Sequence, residues 1–216
     1  DDVLSSVQPS GKQSRRPQSY GVFYTRVTGI WQTVWLEARP NSFLKNVQII
    51  SDLDSARFFV RPEVVNAKSG MNVRVVALEK NGRKAAEDVV PAQGASWAIL
   101  SLSEPHAWSP ADPYLYDIIL ELRCGKKVVD SVKSYAGLRK FHIEGNRFYL
   151  NNKPIFLRFV LDQGFYPDGI WTAPSDKALR KDIELALEAG FHGARLHQKV
   201  FEERFHYWAD RLGYLT

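Results

Sequence analysis

The amino-acid sequence predicts a mostly β protein with an α/β C-terminal part. Short apolar and β-branched runs recur at regular spacing between about Pro40 and Tyr135, and turn dipeptides separate them. From about Ile155 onward, apolar runs alternate with stretches of helical periodicity. The first pattern is typical of an antiparallel β-sandwich of immunoglobulin-like type, and the second is typical of parallel strand–helix units.

Length and composition narrow the function only slightly. The chain has 216 residues, of which 44% are hydrophobic and 25% charged, as in an ordinary globular protein of one or two domains. Its single cysteine, Cys124, excludes a disulfide within the chain. No apolar run approaches the roughly 18 residues of a membrane helix, and the first residues lack the basic and apolar regions of a signal peptide. We therefore expect no membrane partner and no signal peptide in this sequence.

The positive charge of the chain raises the question of nucleic-acid binding. The formal net charge is +5 and the isoelectric point is about 9.3. The charges are mostly scattered, and the one basic cluster, formed by Lys12, Arg15 and Arg16, lies in a stretch rich in Pro, Ser and Gln. Because no nucleic-acid-binding motif accompanies this cluster, we expect no nucleic-acid partner.

The N-terminal region divides into a loop and a strand-rich segment. Residues 1–20 are polar and rich in turn formers, which predicts a loop. Aromatic and β-branched residues dominate Val22–Glu37, which predicts strands with a bend at Gly29. Trp31 and Trp35 would fall on the same face of a strand, so we expect both in the core of a sandwich.

Six strands are predicted in the central region. Asn81-Gly82 and Cys124-Gly125 are turn signals between alternating runs. Pro62 lies inside the second strand and indicates a sheet edge or a bulge, because proline cannot donate to the ladder. The predicted strands are Val47–Ile50, Ala56–Val65, Val73–Glu79, Ala98–Leu102, Tyr114–Arg123 and Val128–Ser134.

Two turns and a buried strand follow the sandwich. Phe141–Ile143 and Phe148–Leu150 predict a hairpin, and Asn151-Asn152 predicts a second tight turn because Asn tolerates positive φ. The apolar run Ile155–Leu161 is interrupted only by Arg158 and fits a strand buried on both faces. A buried arginine is costly unless it is paired, so we expect a carboxylate beside it.

The remaining chain alternates helices and strands. Ser175 is a good N-cap and Gly190 a good stop, which predicts a helix between them. Further elements are predicted from apolar periodicity and end signals. They are a strand over residues 191–197, a helix over about Glu202–Leu212 and a third strand that starts at Tyr214.

Four segments form distinctive sequence motifs. They are residues 151–169, "NNKPIFLRFVLDQGFYPDG", and the segments "YTRVTGIWQTVWLE", "HAWSPADPYLYDIILEL" and "YAGLRKF". Together they resemble glycoside hydrolase family 2, which holds β-galactosidases, β-glucuronidases and β-mannosidases. The first segment is similar to the first barrel strand of that family, with Asn152 and Phe159 where its pattern has glycine. The other three resemble, in the order given, the end of the N-terminal sugar-binding sandwich, a middle-domain segment and the junction into the barrel.

This resemblance implies a domain order and a reaction. Residues 1–39 would end a sugar-binding jelly-roll sandwich, residues 40–138 would form the immunoglobulin-like sandwich, and residues 139–216 would begin a (β/α)8, or TIM, barrel. The parent protein would be a retaining, β-galactosidase-like hydrolase of terminal β-linked sugars, for which two carboxylates flank the glycosidic bond. The family's catalytic glutamates lie on the fourth and seventh barrel strands, and this sequence reaches only the third. The resemblance therefore implies that no catalytic residue lies in this chain.

The resemblance also implies that the polar ends of the two parallel strands bind a carbohydrate. Ligands bind at the carboxyl ends of such strands, and aromatic side chains can stack on the apolar faces of sugars. The family ends its second strand with Arg, two residues and His, whereas His197 here comes one residue early, so either His197 or Gln198 would take that role. The predicted substrate-binding residues are Arg158, Asp162, Gln163, Asp168, Trp171, Arg195, His197 and Gln198.

Alternatives remain open at the level of the sequence. Arg158 and Arg195 equally suit structural positions in a barrel. Neither a metal-ligand cluster nor a cofactor motif is visible, so we expect neither, and a homo-oligomer stays open. A different class of function is a non-catalytic β-sandwich that binds carbohydrate or acts as a spacer, with its function inside Pro40–Tyr135.

Overall fold

The computed structural model of the chain describes residues 3–5 and 7–216. It is mostly β, its larger sheets are antiparallel, and two helices lie near its C-terminal end. The chain divides into two compact units. Glu37–Phe156 forms one, called the middle unit below, and Asp1–Leu36 together with Leu157–Thr216 forms the other, the terminal unit.

The middle unit contains ten strands, and every residue from 37 to 156 is described. They are β1 (Phe43–Asp52), β2 (Arg57–Val65), β3 (Met71–Leu78), β4 (Lys84–Pro91), β5 (Ala98–Ser101), β6 (Tyr116–Cys124), β7 (Lys127–Ala136), β8 (Phe141–Glu144), β9 (Arg147–Leu150) and β10 (Lys153–Ile155). The sequence predicted six of the first seven and missed β4, whose alternation is obscured by three charged residues in eight.

Two antiparallel sheets share one core in this unit. One sheet has the order β1-β2-β5 and the other β4-β3-β6-β7. Phe58 and Val60 from the first sheet and Ile118 and Leu122 from the second are all fully buried in the same apolar cluster. In β6, apolar side chains recur at every second residue, so one face of the strand is dry and the other faces water. The predicted antiparallel sandwich is therefore confirmed.

Pro62 lies at a position of β2 that has a partner strand on one side only, as the sequence predicted for a proline at a sheet edge. It pairs with Val47 of β1, whereas β5 pairs only with Arg57–Val60 of β2. On that side of β2 the proline therefore faces no ladder partner that would need its missing N–H.

A small antiparallel sheet ends the middle unit. Its order is β10-β9-β8, and Asn151 and Asn152 form the turn between β9 and β10 with φ of 52° and 61°. Two consecutive positive φ angles define the tight hairpin turn that asparagine favours. The predicted hairpin of β8 and β9 and the predicted turn at Asn151-Asn152 are both confirmed.

The terminal unit contains two parallel strand–helix pairs. Its elements are β11 (Phe159–Asp162), α1 (Asp176–Glu188), β12 (Gly193–Leu196) and α2 (Glu203–Leu212). β11 and β12 pair in parallel, and Gly193 makes a further parallel bridge to Leu215, where the third strand was predicted. Ser175 caps α1 by accepting a hydrogen bond from the N–H of Ala178 at 3.2 Å, and α2 ends at Gly213 with φ of 78°. The described residues contain no helix that is both long and apolar enough to cross a membrane.

The strand predicted over Ile155–Leu161 is wrong in its extent and burial. β10 ends at Ile155 and β11 begins at Phe159, and Phe156 and Leu161 are 82% and 50% exposed. A strand is buried on both faces only when other elements cover both, and β11 has helices against one face. The apolar run alone could not reveal this.

The strands predicted over Val22–Glu37 are also wrong. This segment makes only isolated bridges, such as the one between Tyr20 and Phe23. Trp35 is 66% exposed and Trp31 is half-buried, so the two rings do not share a sandwich core. β propensity produces a strand only when a neighbouring strand supplies its hydrogen bonds, and none of the described residues pairs with 29–37 in this way.

Candidate ligand-binding site

A cavity of about 740 Å³ lies beyond the carboxyl ends of β11 and β12 in the terminal unit. Its lining residues come from three loops that are distant in sequence. They are Gln8, Pro9, Gly11 and Trp31 from the N-terminal segment, Trp171 from the loop between β11 and α1, and Gln198, Lys199 and Val200 from the loop between β12 and α2. Ligands bind at this end of parallel strands because the connecting loops leave a crevice there.

Aromatic rings fix the wall that holds Trp171. The Trp171 ring is 4% exposed and meets Trp31 edge-on at 5.6 Å between ring centroids. Phe165 meets Trp171 edge-on at 4.9 Å and stacks on Tyr24 at 3.9 Å. Such contacts lock side-chain rotamers, so this wall of the cavity is largely preformed.

Hydrogen bonds hold the N-terminal segment against this wall. The buried amide of Gln13 accepts from the N–H of Val27 at 2.8 Å, and the N–H of Tyr24 donates to the carbonyl of Lys12 at 2.8 Å. The hydroxyl of Thr172 donates to the carbonyl of Trp31 at 2.8 Å. The segment therefore has a defined path without forming regular secondary structure.

Two backbones approach closely at one edge of the cavity. Gly11 has φ of 59°, and a Cβ built on it would lie 2.3 Å from the carbonyl oxygen of Gln198. Gln198 itself has φ of 55°, a left-handed conformation that costs energy for a residue with a side chain. Only glycine fits at position 11, and the strain at Gln198 is held in place by its surroundings.

Lys199 is the one charged residue among those that line the cavity, all of which are described. Its ammonium group donates to the carbonyls of Gly164 at 2.5 Å and Trp171 at 2.6 Å. It lies 4.9 Å from the ring centroid of Trp31 and 5.0 Å from that of Trp171. Burial lowers the pKa of Lys199 to about 8, and attraction to Glu202 and Asp162 only partly offsets this effect.

Asp162 and Tyr166 lie on the helix side of the two strands. Asp162 accepts from the N–H of Gly164 at 2.8 Å, and burial raises its pKa above the usual range, with a smaller contribution from the charge of Asp182. The hydroxyl of Tyr166 donates to Asp182 of α1 at 2.7 Å. These contacts attach the start of the loop to the helix behind it.

Arg195 and His197 occupy the opposite face. One guanidinium nitrogen of Arg195 lies 2.6 Å from Nδ1 of His197. Desolvation lowers the pKa of His197, and the positive charges of Arg195 and Lys12 lower it further. This pair therefore favours a neutral imidazole that accepts a hydrogen bond from the guanidinium.

Asp162 and Arg195 do not converge, although the sequence suggested that adjacent strand ends bring them together. Arg195 pairs with Leu161, and Asp162 pairs with Leu196. Side chains alternate between the faces of a strand, so register partners share a face and these two residues lie on opposite faces. The expectation that both face one pocket is wrong.

Arg158 lies at the other end of the strands. It precedes β11, and its guanidinium donates to the carbonyl of Gly190 at 3.2 Å and to Nε2 of His192, both of which precede β12. The predicted position at the carboxyl ends is therefore wrong, and so is the predicted carboxylate partner. Arg158 is exposed, and water solvates its charge in place of a carboxylate.

The other predicted residues divide between the cavity and its surroundings. Trp171 and Gln198 line the cavity. Gln163 lines a separate depression together with Tyr24. Asp168 is exposed at the tip of the turn that Tyr166 and Ile170 close. A role for any of them in substrate binding stays a prediction.

Sequence reasoning missed most of the residues that line the cavity. Lys199 is not among the residues predicted to bind substrate, and Trp31 was expected in a sandwich core. A lysine next to a strand end was the available signal for Lys199. No local signal marked Gln8, Pro9 or Gly11, because their position depends on contacts with residues about 190 positions later. Among the described residues, no group of three His, Cys, Asp or Glu side chains could hold a metal ion.

Comparison with known families gives a match for the middle part of the chain. Residues 42–139, which contain the sandwich, match the sequence model of "Glycosyl hydrolases family 2". This match assigns the sandwich region to glycosyl hydrolase family 2. The match covers the part of the chain where the two antiparallel sheets share their core, and curated relatives extend the similarity over the rest.

Curated relatives cover nearly the whole chain at low identity. A β-galactosidase of Thermoanaerobacter pseudethanolicus is 25% identical over 99% of this chain and 30% of its own length. A putative β-glucuronidase of Formosa agariphila is 27% identical over 100% of this chain and 27% of its own length. The chain thus spans less than a third of the length of either relative.

Solved structures show the same fold. The β-glucuronidase of Ruminococcus gnavus matches with a TM-score of 0.69 and 22% identity, over 82% of this chain and 30% of that chain. An FMN-binding β-glucuronidase of Facaelibacterium prausnitzii matches with a TM-score of 0.71 and 18% identity, over 82% of this chain and 29% of that chain. At these identities the likeness concerns the fold alone.

Proposed function

We propose that this chain is part of a retaining glycoside hydrolase that cleaves terminal β-linked sugars and is β-galactosidase-like. The observation that carries the proposal is the aromatic cavity at the carboxyl ends of two parallel strands, in a chain whose residues 42–139 match family 2. Retaining hydrolysis needs two carboxylates about 5–5.5 Å apart. In this proposal both are glutamates that lie outside these 216 residues, and the chain supplies contacts to the sugar.

The proposal assigns a role to each part of the chain. β11, α1, β12 and α2 are the first units of a (β/α)8 barrel, the sandwich is of immunoglobulin-like type, and the N-terminal segment ends a sugar-binding sandwich. Three antiparallel strands packed on four support the sandwich assignment. The parallel pairing of β11 with β12 through α1 supports the barrel assignment, because right-handed parallel crossovers are the repeating unit of such barrels.

Trp31 suits a sugar, since its half-buried ring offers apolar surface to the C–H face of a pyranose, and the buried Trp171 ring supports it edge-on. Gln198 and Lys199 supply polar groups at the rim and wall. A pocket with mostly apolar walls and few polar groups is the usual form of a small-molecule site. No step of the reaction needs a cofactor in this arrangement.

Hydrolysis of p-nitrophenyl β-galactoside tests the proposal. The longer protein that contains this chain should release nitrophenol, whereas the 216-residue chain by itself should not, because both glutamates lie elsewhere. Activity of the isolated chain would show that the chemistry is misplaced. A longer protein that is folded but inactive on β-galactosides, β-glucuronides and β-mannosides would contradict the glycosidase proposal.

Trp31→Leu in the longer protein tests the cavity directly. Loss of roughly 1.5–3 kcal/mol of apolar contact corresponds to a decrease of about 10- to 150-fold in kcat/KM. Trp97→Leu is the matched control, because Trp97 is also partly exposed but lies in the middle unit, where Arg61 covers its ring. Equal kcat/KM for both variants would remove the cavity from the substrate site.

The alternative is a non-catalytic sandwich that binds carbohydrate or acts as a spacer. It is favoured by one observation, that the family model matches residues 42–139 and not the terminal unit. This alternative places any bound sugar on the sandwich. It therefore predicts that Trp31→Leu leaves sugar binding unchanged, the reverse of the result expected above.

A further inference from the structure

Lys199 contacts all three chain segments that meet at the cavity. Its ammonium group donates to the carbonyls of Gly164 and Trp171, and both of these residues lie in the loop between β11 and α1. The same group lies 4.9 Å from the ring centroid of Trp31 in the N-terminal segment and 5.2 Å from that of Phe201, just before α2. One side chain therefore connects the two loops and the N-terminal segment.

The backbone of Gly164 fits closely against this lysine. A Cβ built on Gly164 would lie 2.9 Å from Cδ and 3.0 Å from Nζ of Lys199, so a side chain at position 164 would displace the lysine. The N–H of Gly164 donates to Asp162 at 2.8 Å. Both backbone polar groups of Gly164 are thus engaged, and the start of the loop is held between Asp162 and Lys199.

The hydrogen-bond donors of Lys199 are largely used within the protein. An ammonium group has three N–H donors and a neutral amine has two, and two carbonyls accept from this one. Burial lowers the pKa of Lys199 to about 8, and the charges of Glu202 and Asp162 only partly offset this effect. Loss of a proton therefore removes the charge but leaves one donor for each carbonyl.

We propose that Lys199 is a positioning residue for the sugar: it holds the loop that carries Trp171, and the edge contact of Trp171 with Trp31 fixes the ring on which a pyranose stacks. This inference rests on the proposed function and names a residue that acts through Trp31 without contacting the sugar. A ring that is already fixed loses less conformational freedom when a ligand binds, so the affinity rises without an additional contact.

The direction of the pH dependence follows from the lowered pKa. A lysine released into water takes up a proton more readily than the buried one, because burial penalises the charged form. As the pH rises through about 8, the arrangement in which Lys199 is buried therefore becomes more stable. Raising the pH should keep or strengthen the loop contacts, whereas a lysine that held its partners by charge alone would lose them.

Fluorine NMR of the 216-residue chain tests the positioning role without a sugar. The chain is labelled with 5-fluorotryptophan, and the change in chemical shift between H2O and D2O measures how much water reaches each ring. Trp171 is 4% exposed and should show almost no change at pH 6.5 or at pH 9.5. In Lys199→Met, which removes both hydrogen bonds, Trp171 should gain a clear solvent shift and the resonance of Trp31 should move.

Two controls accompany this comparison. Lys177→Met is the matched variant, because Lys177 is exposed on α1 and does not line the cavity, and its spectrum should match that of the original chain. Trp108 is fully buried in the middle unit, so its resonance reports whether each variant is folded there.

Kinetics of the longer protein distinguish positioning from catalysis. With p-nitrophenyl β-galactoside, Lys199→Met should raise KM roughly tenfold or more, as for the loss of a charged hydrogen bond, and change kcat by less than about threefold. A contact that supports the ground state and the transition state equally affects KM alone. Lys177→Met should leave both constants unchanged.

A titration of the unmodified chain covers the case in which Lys199→Met does not fold. With lysine labelled with ¹³C at Cε, the signal that shows Overhauser contacts to tryptophan ring protons should titrate with a midpoint near pH 8. Over the same range the Trp171 ring should stay protected from water.

Four outcomes would overturn the proposal. They are a folded Lys199→Met variant in which Trp171 stays protected, exposure of Trp171 as the pH rises to 9.5, the absence of a lysine signal that titrates near pH 8, and a decrease in kcat with KM unchanged. A longer protein that hydrolyses no β-glycoside would instead overturn the proposed function. The NMR measurements on the 216-residue chain would still decide whether Lys199 holds the two rings.

Discussion

At the scale of single residues, Gly11 shows how one backbone position can shape a cavity. Its φ of 59° and the 2.3 Å separation between a built Cβ and the carbonyl of Gln198 are two separate obstacles to any side chain. The first obstacle is intrinsic to the residue. The second depends on where the loop after β12 lies, and the same approach brings Gly11 within reach of the Trp171 ring.

Gly11→Ala should destabilise the terminal unit by more than the conformational cost alone. Left-handed φ costs a residue with a Cβ about 1–2 kcal/mol, and the contact with Gln198 adds to this. Gly21→Ala is the matched control, because Gly21 has φ of 54° but nothing within 4 Å of a built Cβ. Denaturant unfolding of both variants measures the difference, and equal losses of stability would show that the close approach is absent in solution.

At the scale of elements, α1 joins β11 to β12 and so sets the spacing of the two loops that form the cavity. Leu179 and Ile183 bury one face of the helix, and the N-terminus begins at Ser175 with an extended backbone. Asp176 in the first turn lies near the positive end of the helix dipole and accepts from Arg204 of α2 at 2.7 Å. The cap and this contact fix where the loop ends.

Ser175→Ala should lower the stability of the terminal unit by about 1 kcal/mol, because the N–H of Ala178 loses its side-chain acceptor. For a chain of this size, that loss corresponds to a decrease in Tm of about 2–4 °C. Ser103→Ala is the control, since Ser103 is exposed in a loop of the middle unit. A thermal melt in which both variants match the original chain would contradict the capping role.

At the scale of the whole molecule, stability depends on two separate apolar clusters, one in each unit. The larger cluster joins the two antiparallel sheets, and the smaller one packs β11 and β12 against α1 and α2. Ile118 is fully buried in the larger cluster, whereas Ile99 is 43% exposed on the outer side of β5. The same residue type therefore serves two different environments in one sandwich.

Ile118→Ala should destabilise the sandwich by about 2–5 kcal/mol, because it removes buried apolar contacts and leaves a cavity. Ile99→Ala should cost well under half of that amount, since water already contacts its side chain. Chemical denaturation followed by circular dichroism measures both. Comparable losses would mean that the two sheets do not pack as described.

The sequence by itself determined the elements whose signals are local. Alternation identified six of the seven sandwich strands, Asn151 and Asn152 identified a turn of positive φ, and Ser175 and Gly190 marked the ends of α1. Each of these signals depends on only a few neighbouring residues, so it can be recognised in the amino-acid sequence without the tertiary structure.

Only the tertiary structure decided the candidate site. Gln8 and Lys199 line one cavity although they are far apart in the sequence. The register of β11 against β12 places the side chains of Asp162 and Arg195 on opposite faces of the two strands. Burial was also decided by the tertiary structure. Trp35 and Leu161 have apolar side chains, but both are exposed. The physical reason is that propensity and periodicity describe a segment alone, whereas register, burial and the pKa of a lysine depend on which distant residues surround it.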